Sequence, residues 1–190
     1  ALRMQPALFL DRDGVINVDR DYVYAIEDFT WQDGIFELAR AAVASGYAIV
    51  VITNQSGIGR GYYTEKDFAI VTAYMRGRFE GEGVPLAAVY HCPYHPDAVV
   101  PELRHPDHPW RKPRPGMIFA AREALDIDLA RSILIGDRTS DIEAGRSAGV
   151  GTLALIGGAE TSADPNVLRF ASVVEAARWM GARAFLTRRK

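Results

Sequence analysis

Short apolar runs alternate with helical patterns along the chain, and this alternation restricts the fold more than any other feature. Ala7–Leu10, Ala48–Ile52, Ala87–Tyr90, Ser132–Ile135 and Gly151–Leu155 each carry almost no polar side chain. Such runs read as strands buried on both faces. Between them, Ile35, Leu38, Ala39, Ala42 and Val43 recur at helical spacing from Gly34 to Ser45, with Gly46 as a stop. Thr64 reads as the N-cap of a helix to about Glu80 that carries Phe68, Val71, Met75 and Phe79 on one face. Further helices are expected from Pro115 to Leu125, with proline in the first turn, from Ser140 to Ala148, and from Val174 to Met180. A short strand is expected near Ala171–Val173. Strand–helix alternation predicts an α/β fold, a Rossmann-like three-layer sandwich with a central parallel sheet. The 190 residues fit one domain, 1–190.

The segment from Cys92 to Arg114 breaks the pattern. Pro93, Pro96, Pro101, Pro106, Pro109 and Pro113 leave no room for a regular element, so a long loop is expected at 92–114. Cys92 is the one cysteine, which excludes an internal disulfide and suits a reducing compartment. The apolar stretch Ala7–Leu10 is too short for a signal-peptide core or a bilayer span. A cytoplasmic protein is expected. The net charge of −2 gives no reason to expect nucleic acid or an acidic membrane as partner. The basic end Arg188-Arg189-Lys190 reads as a solvated tail.

Four polar clusters follow the strands, where ligands of open α/β sheets bind. Asp11-Arg12-Asp13-Gly14 places two carboxylates past the first strand. A carboxylate can attack phosphorus, and two close carboxylates call for a cation such as Mg²⁺; the alternative is a polar turn. Thr53-Asn54-Gln55-Ser56-Gly57-Ile58-Gly59-Arg60-Gly61 offers hydroxyls, amides and open backbone for a phosphate, or is a flexible turn. Arg111-Lys112-Pro113 could grip anionic groups, or is surface charge. In Gly136-Asp137-Arg138-Thr139-Ser140-Asp141, Asp137 could hold a metal. Asp141 could bond Lys112 or a metal-bound water, cap the next helix, or do both.

The order acid pair, hydroxyl, lysine, acid resembles the four motifs of haloacid dehalogenase (HAD) superfamily phosphatases over roughly residues 7–157. The resemblance implies that Asp11 is a nucleophile forming an aspartyl-phosphate and that Asp13 is the general acid and then base. It implies that Thr53 and Lys112 hold phosphoryl oxygens. Mg²⁺ would bind the Asp11 side chain, the Asp13 backbone carbonyl and Asp137. Phosphoryl transfer depends on positioning and charge neutralisation, which such a set can supply.

Asp11-Arg12-Asp13-Gly14-Val15-Ile16-Asn17, Thr53-Asn54-Gln55-Ser56-Gly57-Ile58, Cys92-Pro93-Tyr94-His95-Pro96 and Arg111-Lys112-Pro113-Arg114-Pro115-Gly116-Met117 resemble, more narrowly, the D-glycero-D-manno-heptose-1,7-bisphosphate 7-phosphatase family. Histidinol-phosphate phosphatases share much of this pattern. The resemblance implies an essentially capless HAD fold acting on a small phosphorylated metabolite, and a monomer is expected. Asp19, Arg20, Asp21 and Tyr22 would form a substrate-facing loop. Thr53, Asn54, Gln55 and Ser56 would line the reacting phosphate, and Arg111 and Arg138 would hold the far end of a bisphosphate. The family's structural Zn²⁺ pattern falls here on Cys92, Tyr94, His108 and Trp110, and is broken at Tyr94 and Trp110. The expectation is a metal-free loop braced by Trp110 and Tyr94, against a rearranged Cys92–His95–His105–His108 site. A non-catalytic phosphosugar-binding protein would lack Asp11, Asp13, Lys112 or Asp137, and all four are present.

Overall fold

The structure, a computed structural model, describes residues 4–187, so the basic end Arg188–Lys190 lies outside the described residues. The five strands expected from the apolar runs form, and a sixth lies elsewhere than expected. They are β1 (Ala7–Leu10), β2 (Ala48–Asn54), β3 (Ala88–Cys92), β4 (Ile133–Gly136), β5 (Thr152–Ile156) and β6 (Leu168–Phe170). They make one parallel sheet in the order β3-β2-β1-β4-β5-β6.

Strand alternation splits the core between the two faces. Leu8, Leu10, Ile49, Val51, Ile133 and Ile135 point to one side. There they meet α1 (Ile35–Ala44), α3 (Glu65–Gly81) and α6 (Val173–Thr187). Ala7, Phe9, Val50, Ile52, Leu134 and Leu155 point to the other, against α4 (Gly116–Leu125) and α5 (Thr139–Ala148). Full burial of each of the larger of these side chains, from valine to phenylalanine, contributes about 1.5–3 kcal/mol. The expected three-layer α/β sandwich is therefore the observed one.

Thr64 caps α3 as expected. Its hydroxyl accepts from the Asp67 N–H, and the Asp67 carboxylate accepts from the Thr64 N–H, which closes a capping box. Three expectations are corrected. The last strand lies at Leu168–Phe170 rather than Ala171–Val173, because Ala171 and Ser172 bend the chain into α6, which begins at Val173. That helix runs on to Thr187. The glycine-rich turn after β2 contains a short helix, α2 (Ser56–Gly59).

The topology places the site. The chain builds outward from β1 through β2 to β3, then returns to β4 on the other side of β1. The crevice at the carboxyl ends of β1 and β4 is thus the switch point where doubly wound sheets bind ligands. Register aligns Leu10 with both Val51 and Ile135, so the residues that follow these strands emerge side by side.

Candidate active site

Asp11 leaves β1 with its N–H bonded to the Ile135 carbonyl, 3.3 Å away. Its Oδ1 accepts from the Arg12 N–H and from Lys112 Nζ, each at 2.9 Å. Lys112 also donates to Asp141 Oδ1 at 2.6 Å and to the Ile52 carbonyl at 2.9 Å. An ammonium has three protons, so these contacts use all of them. The expectation that Lys112 holds phosphoryl oxygens is met only if one of these bonds is exchanged for the incoming group. Asp141 does both things foreseen for it: its other oxygen accepts the Arg138 N–H at the start of α5.

The carboxylates are crowded. One oxygen each of Asp11, Asp137 and Asp141 lies within 4.8 Å of the others. Burial, then the Asp141 charge, raises the Asp11 carboxyl well above its usual range despite Lys112; Asp137 and Asp13 add to the rise. Burial followed by Asp141 pushes Asp137 up to about 6. Burial pulls the Lys112 ammonium down, but Asp11 and Asp141 more than reverse this and raise it. Asp137 Oδ1 is buried with no hydrogen-bond partner. An orphaned carboxylate oxygen among mutually repelling acids fits a hard divalent cation with oxygen ligands, such as Mg²⁺. Gly14 permits this crowding. It sits at φ 89°, and a Cβ there would lie 2.1 Å from Asp137 Oδ2.

Asp13 is tied down by three donors. Arg12 Nη2 and Asn17 Nδ2 reach its Oδ1 at 2.9 and 3.0 Å, and Gln55 Nε2 reaches its Oδ2 at 3.1 Å. The Asn54 amide pairs both ways with the Lys112 backbone at 3.1 Å, so it anchors the proline-rich loop to β2. A cavity of about 570 Å³ opens over this floor. Its walls include Asp11, Asp13, Lys112 and Asp141 below, Asn54, Gln55 and Ser56 on one side, and Asp19, Asp21, Tyr22, Arg111 and Arg138 toward the mouth.

Three expected residues stand apart from that lining. Arg20 is exposed and not on the wall. Thr53 is buried, its hydroxyl accepting from Gln55 Nε2 at 2.9 Å. Asp137 faces a neighbouring cavity of about 340 Å³ beside Gly14 and Gln32. Arg138 is paired with Asp19 at 3.0 Å. Arg111 is half-buried, and burial lowers its pKa from the ordinary value, yet among the described residues its guanidinium makes one long hydrogen bond, 3.5 Å to the Tyr94 carbonyl.

A sequence model of HAD-hydrolase-like proteins matches residues 109–175. Over 150 residues the chain is 55% identical to the D-glycero-alpha-D-manno-heptose-1,7-bisphosphate 7-phosphatase of Burkholderia mallei, covering 79% of each chain. It is 43% identical over 152 residues to the corresponding beta-named enzyme of Vibrio cholerae, covering 80% of this chain and 81% of that one. The chain belongs to the heptose-1,7-bisphosphate 7-phosphatase family. The fold agrees with D,D-heptose 1,7-bisphosphate phosphatase from B. bronchiseptica, crystallised with magnesium and phosphate. The TM-score is 0.81 at 25% identity, over 94% of this chain and 99% of that one. A candidate HAD-like phosphatase from Mesorhizobium loti superposes with a TM-score of 0.85 at 38% identity, over 95% and 86%.

This heptose-bisphosphatase family member is a HAD phosphatase, a phosphoric monoester hydrolase, as the motifs imply. Its proline-rich loop holds one short turn of 3₁₀ helix at Pro101–Leu103. The Tyr94 ring stacks on His108 with centroids 3.8 Å apart, and Trp110 meets Tyr90 edge-on at 5.7 Å. His95 has both ring nitrogens engaged, by the Asp97 N–H and by Arg60. Among the described residues the acidic trio is the one metal-competent cluster, and Cys92 with the loop histidines does not converge into another. Sequence reasoning missed Arg12 and Tyr63. Arg12 is almost fully buried and links Asp13 to the Val23 carbonyl at 2.6 Å. Its only signal was an arginine wedged between two acids.

Proposed function

We propose that this phosphatase removes the 7-phosphate of D-glycero-D-manno-heptose 1,7-bisphosphate, with Mg²⁺, through an aspartyl-phosphate on Asp11. The observation that carries the reading is the Asp11 carboxylate fixed by Lys112 and the Arg12 N–H at the floor of a polar cavity, beside Asp137. The names of the relatives support the substrate. The 55% and 47% identical relatives are named for the alpha anomer, and those at 43–45% for the beta, so the alpha anomer is placed first.

In this reading Asp11 attacks phosphorus as the bond to the sugar oxygen breaks. Asp13 gives that oxygen its proton. Water then attacks the aspartyl-phosphate, Asp13 takes the water's proton, the Asp11–phosphorus bond breaks and inorganic phosphate leaves. Asp11, the Asp13 carbonyl and Asp137 would hold Mg²⁺, which when bound neutralises phosphoryl charge. Lys112, itself held by Asp141, keeps the Asp11 carboxylate aimed, and Thr53 accepts from the Gln55 amide that also donates to Asp13. Arg111 and Arg138 supply the anion site for the second phosphate. The whole chain acts as one catalytic unit, as a cytoplasmic monomer, with no zinc in the loop.

The test is phosphate release from both anomers of the heptose bisphosphate and from histidinol phosphate, with Mg²⁺ and with EDTA. The expected result is Mg²⁺-dependent release with the highest kcat/KM on a heptose bisphosphate. An equal or higher kcat/KM on histidinol phosphate overturns the sugar assignment.

A further inference from the structure

We propose that Tyr63 is a positioning residue that holds Asp13 ready to protonate the leaving oxygen, acting through the Gln55 amide. This deepens the phosphatase reading above and rests on it.

The Tyr63 hydroxyl donates to Gln55 Oε1. The same amide donates from Nε2 to Asp13 Oδ2 at 3.1 Å and to Thr53 Oγ1 at 2.9 Å. Gln55 and Tyr63 are both almost fully buried, at 3% and 6% exposure, so water does not substitute freely for these contacts. A buried carbonyl left without a donor is costly. Tyr63 is the partner that Oε1 has, and it thereby sets which end of the amide faces Asp13. Turned around, the amide would present an oxygen to a carboxylate.

The direction matters because the two oxygens of Asp13 differ. Oδ1 takes two donors, from Arg12 and Asn17, and Oδ2 takes only the Gln55 donor. A carboxylate oxygen has two lone pairs, so Oδ2 keeps one for a proton while Oδ1 does not. Gln55 thus fixes the rotation of the group whose Oδ2 delivers the proton. Burial keeps the phenol itself protonated, as a donor.

The local sequence builds this bracket. Tyr63 directly precedes the N-cap Thr64 and packs with Phe68, four residues into α3, as a hydrophobic staple. Its ring stacks on Tyr24, centroids 5.1 Å apart and planes 9° apart. A Cβ at Gly57 would lie 2.2 Å from the Tyr63 ring, so that glycine makes room for it.

The test is Tyr63→Phe, which keeps the ring and its packing. Two substrates are compared through kcat/KM, which reports the step that breaks the ester bond. One is a sugar phosphate that the wild type hydrolyses, whose alkoxide must be protonated. The other is p-nitrophenyl phosphate, whose leaving group departs without a proton. We expect kcat/KM to fall roughly tenfold on the sugar phosphate and to stay within about twofold on the aryl phosphate. In a Gln55→Leu background, Tyr63→Phe should have no further effect. An equal loss on both substrates, an unchanged sugar-phosphate rate, or the same loss in both backgrounds overturns the role of Tyr63. A wild type that is inert toward every phosphate monoester overturns the phosphatase reading and this inference with it.

Discussion

Replacing Asp137 by asparagine should make the metal-free protein more stable while removing its response to Mg²⁺. In the folded chain the Asp137 carboxyl is pushed from 3.8 to about 6, first by burial and then by Asp141. A raised pKa means that the folded state binds a proton more tightly than the unfolded chain. Stability therefore falls as pH rises from about 4 to 6, and the full cost is present above pH 6. At about 1.4 kcal/mol per pH unit the cost is roughly 3 kcal/mol. Asparagine carries no charge but still buries an amide, so about half of that should be recovered. For a chain of this length, the recovered ~1.5 kcal/mol corresponds to a rise in Tm on the order of 3–6 °C. Thermal melts followed by circular dichroism in EDTA at pH 8 and pH 4 measure it: the gain should be present at pH 8 and nearly gone at pH 4. Adding Mg²⁺ at about 100 times its Kd should raise wild-type stability by about 2.7 kcal/mol and leave the variant almost unmoved. Equal gains at both pH values, or a variant less stable than wild type in EDTA at pH 8, would refute the idea that charge crowding at this site is held in reserve for a cation.

Asp11→Asn should abolish turnover, with an unchanged circular dichroism spectrum; normal phosphate release would remove Asp11 from the nucleophile role. Lys112→Met leaves Asp11 and Asp141 without their buried cation and should cost about 3–5 kcal/mol in urea unfolding at pH 8. A loss below about 1 kcal/mol would show that the ammonium is not the counter-charge. Arg138→Gln should change stability by less than about 1 kcal/mol, because its bridge to Asp19 is solvent-facing, but raise KM for a bisphosphate; an unchanged KM removes Arg138 from the second anion site. Thr64→Ala should cost about 1 kcal/mol in the same unfolding assay through the lost cap.

The sheet was legible because its strands are buried on both faces and so leave unbroken apolar runs. Ala7–Leu10 is fully buried at each residue, and its expected limits are the observed ones. β6 was misplaced for the opposite reason. It is a three-residue edge strand in which only Phe170 is buried, so no run marks it. The extension of α6 to Thr187 was missed because Phe185 and Leu186 are exposed there and break the amphipathic pattern. The site's residue types were legible as clusters after strands. Their use was not, because it is decided by contacts across the chain. Asn54 reads as a phosphate ligand in its motif, yet its amide is bound to the backbone of Lys112, 58 residues on. Tyr63 lies outside every polar cluster and enters the site only because α3 starts where it does.

The same topology that makes the site findable also makes it electrostatically expensive. A parallel sheet that reverses strand order beside β1 delivers Asp11 and Asp137 to adjacent positions, and α5 begins there with Asp141. Hydrophobic burial of the strands fixes the backbone, so the acids cannot separate to relieve one another. The described side chains near Asp11 offer one buried ammonium, Lys112, whose protons go to Asp11, Asp141 and Ile52. Asp137 receives none of them, and its Oδ1 is the oxygen left without a partner. The uncompensated charge is therefore greatest at Asp137, to which Lys112 makes no hydrogen bond. A dication held there would neutralise what the lysine does not bond, and a phosphoryl group arriving over Asp11 would meet positive charge from the cation as well as from Lys112. Moving the lysine's reach to Asp137 instead would satisfy the acids and stabilise the fold, but it would leave no charge deficit for a metal to fill.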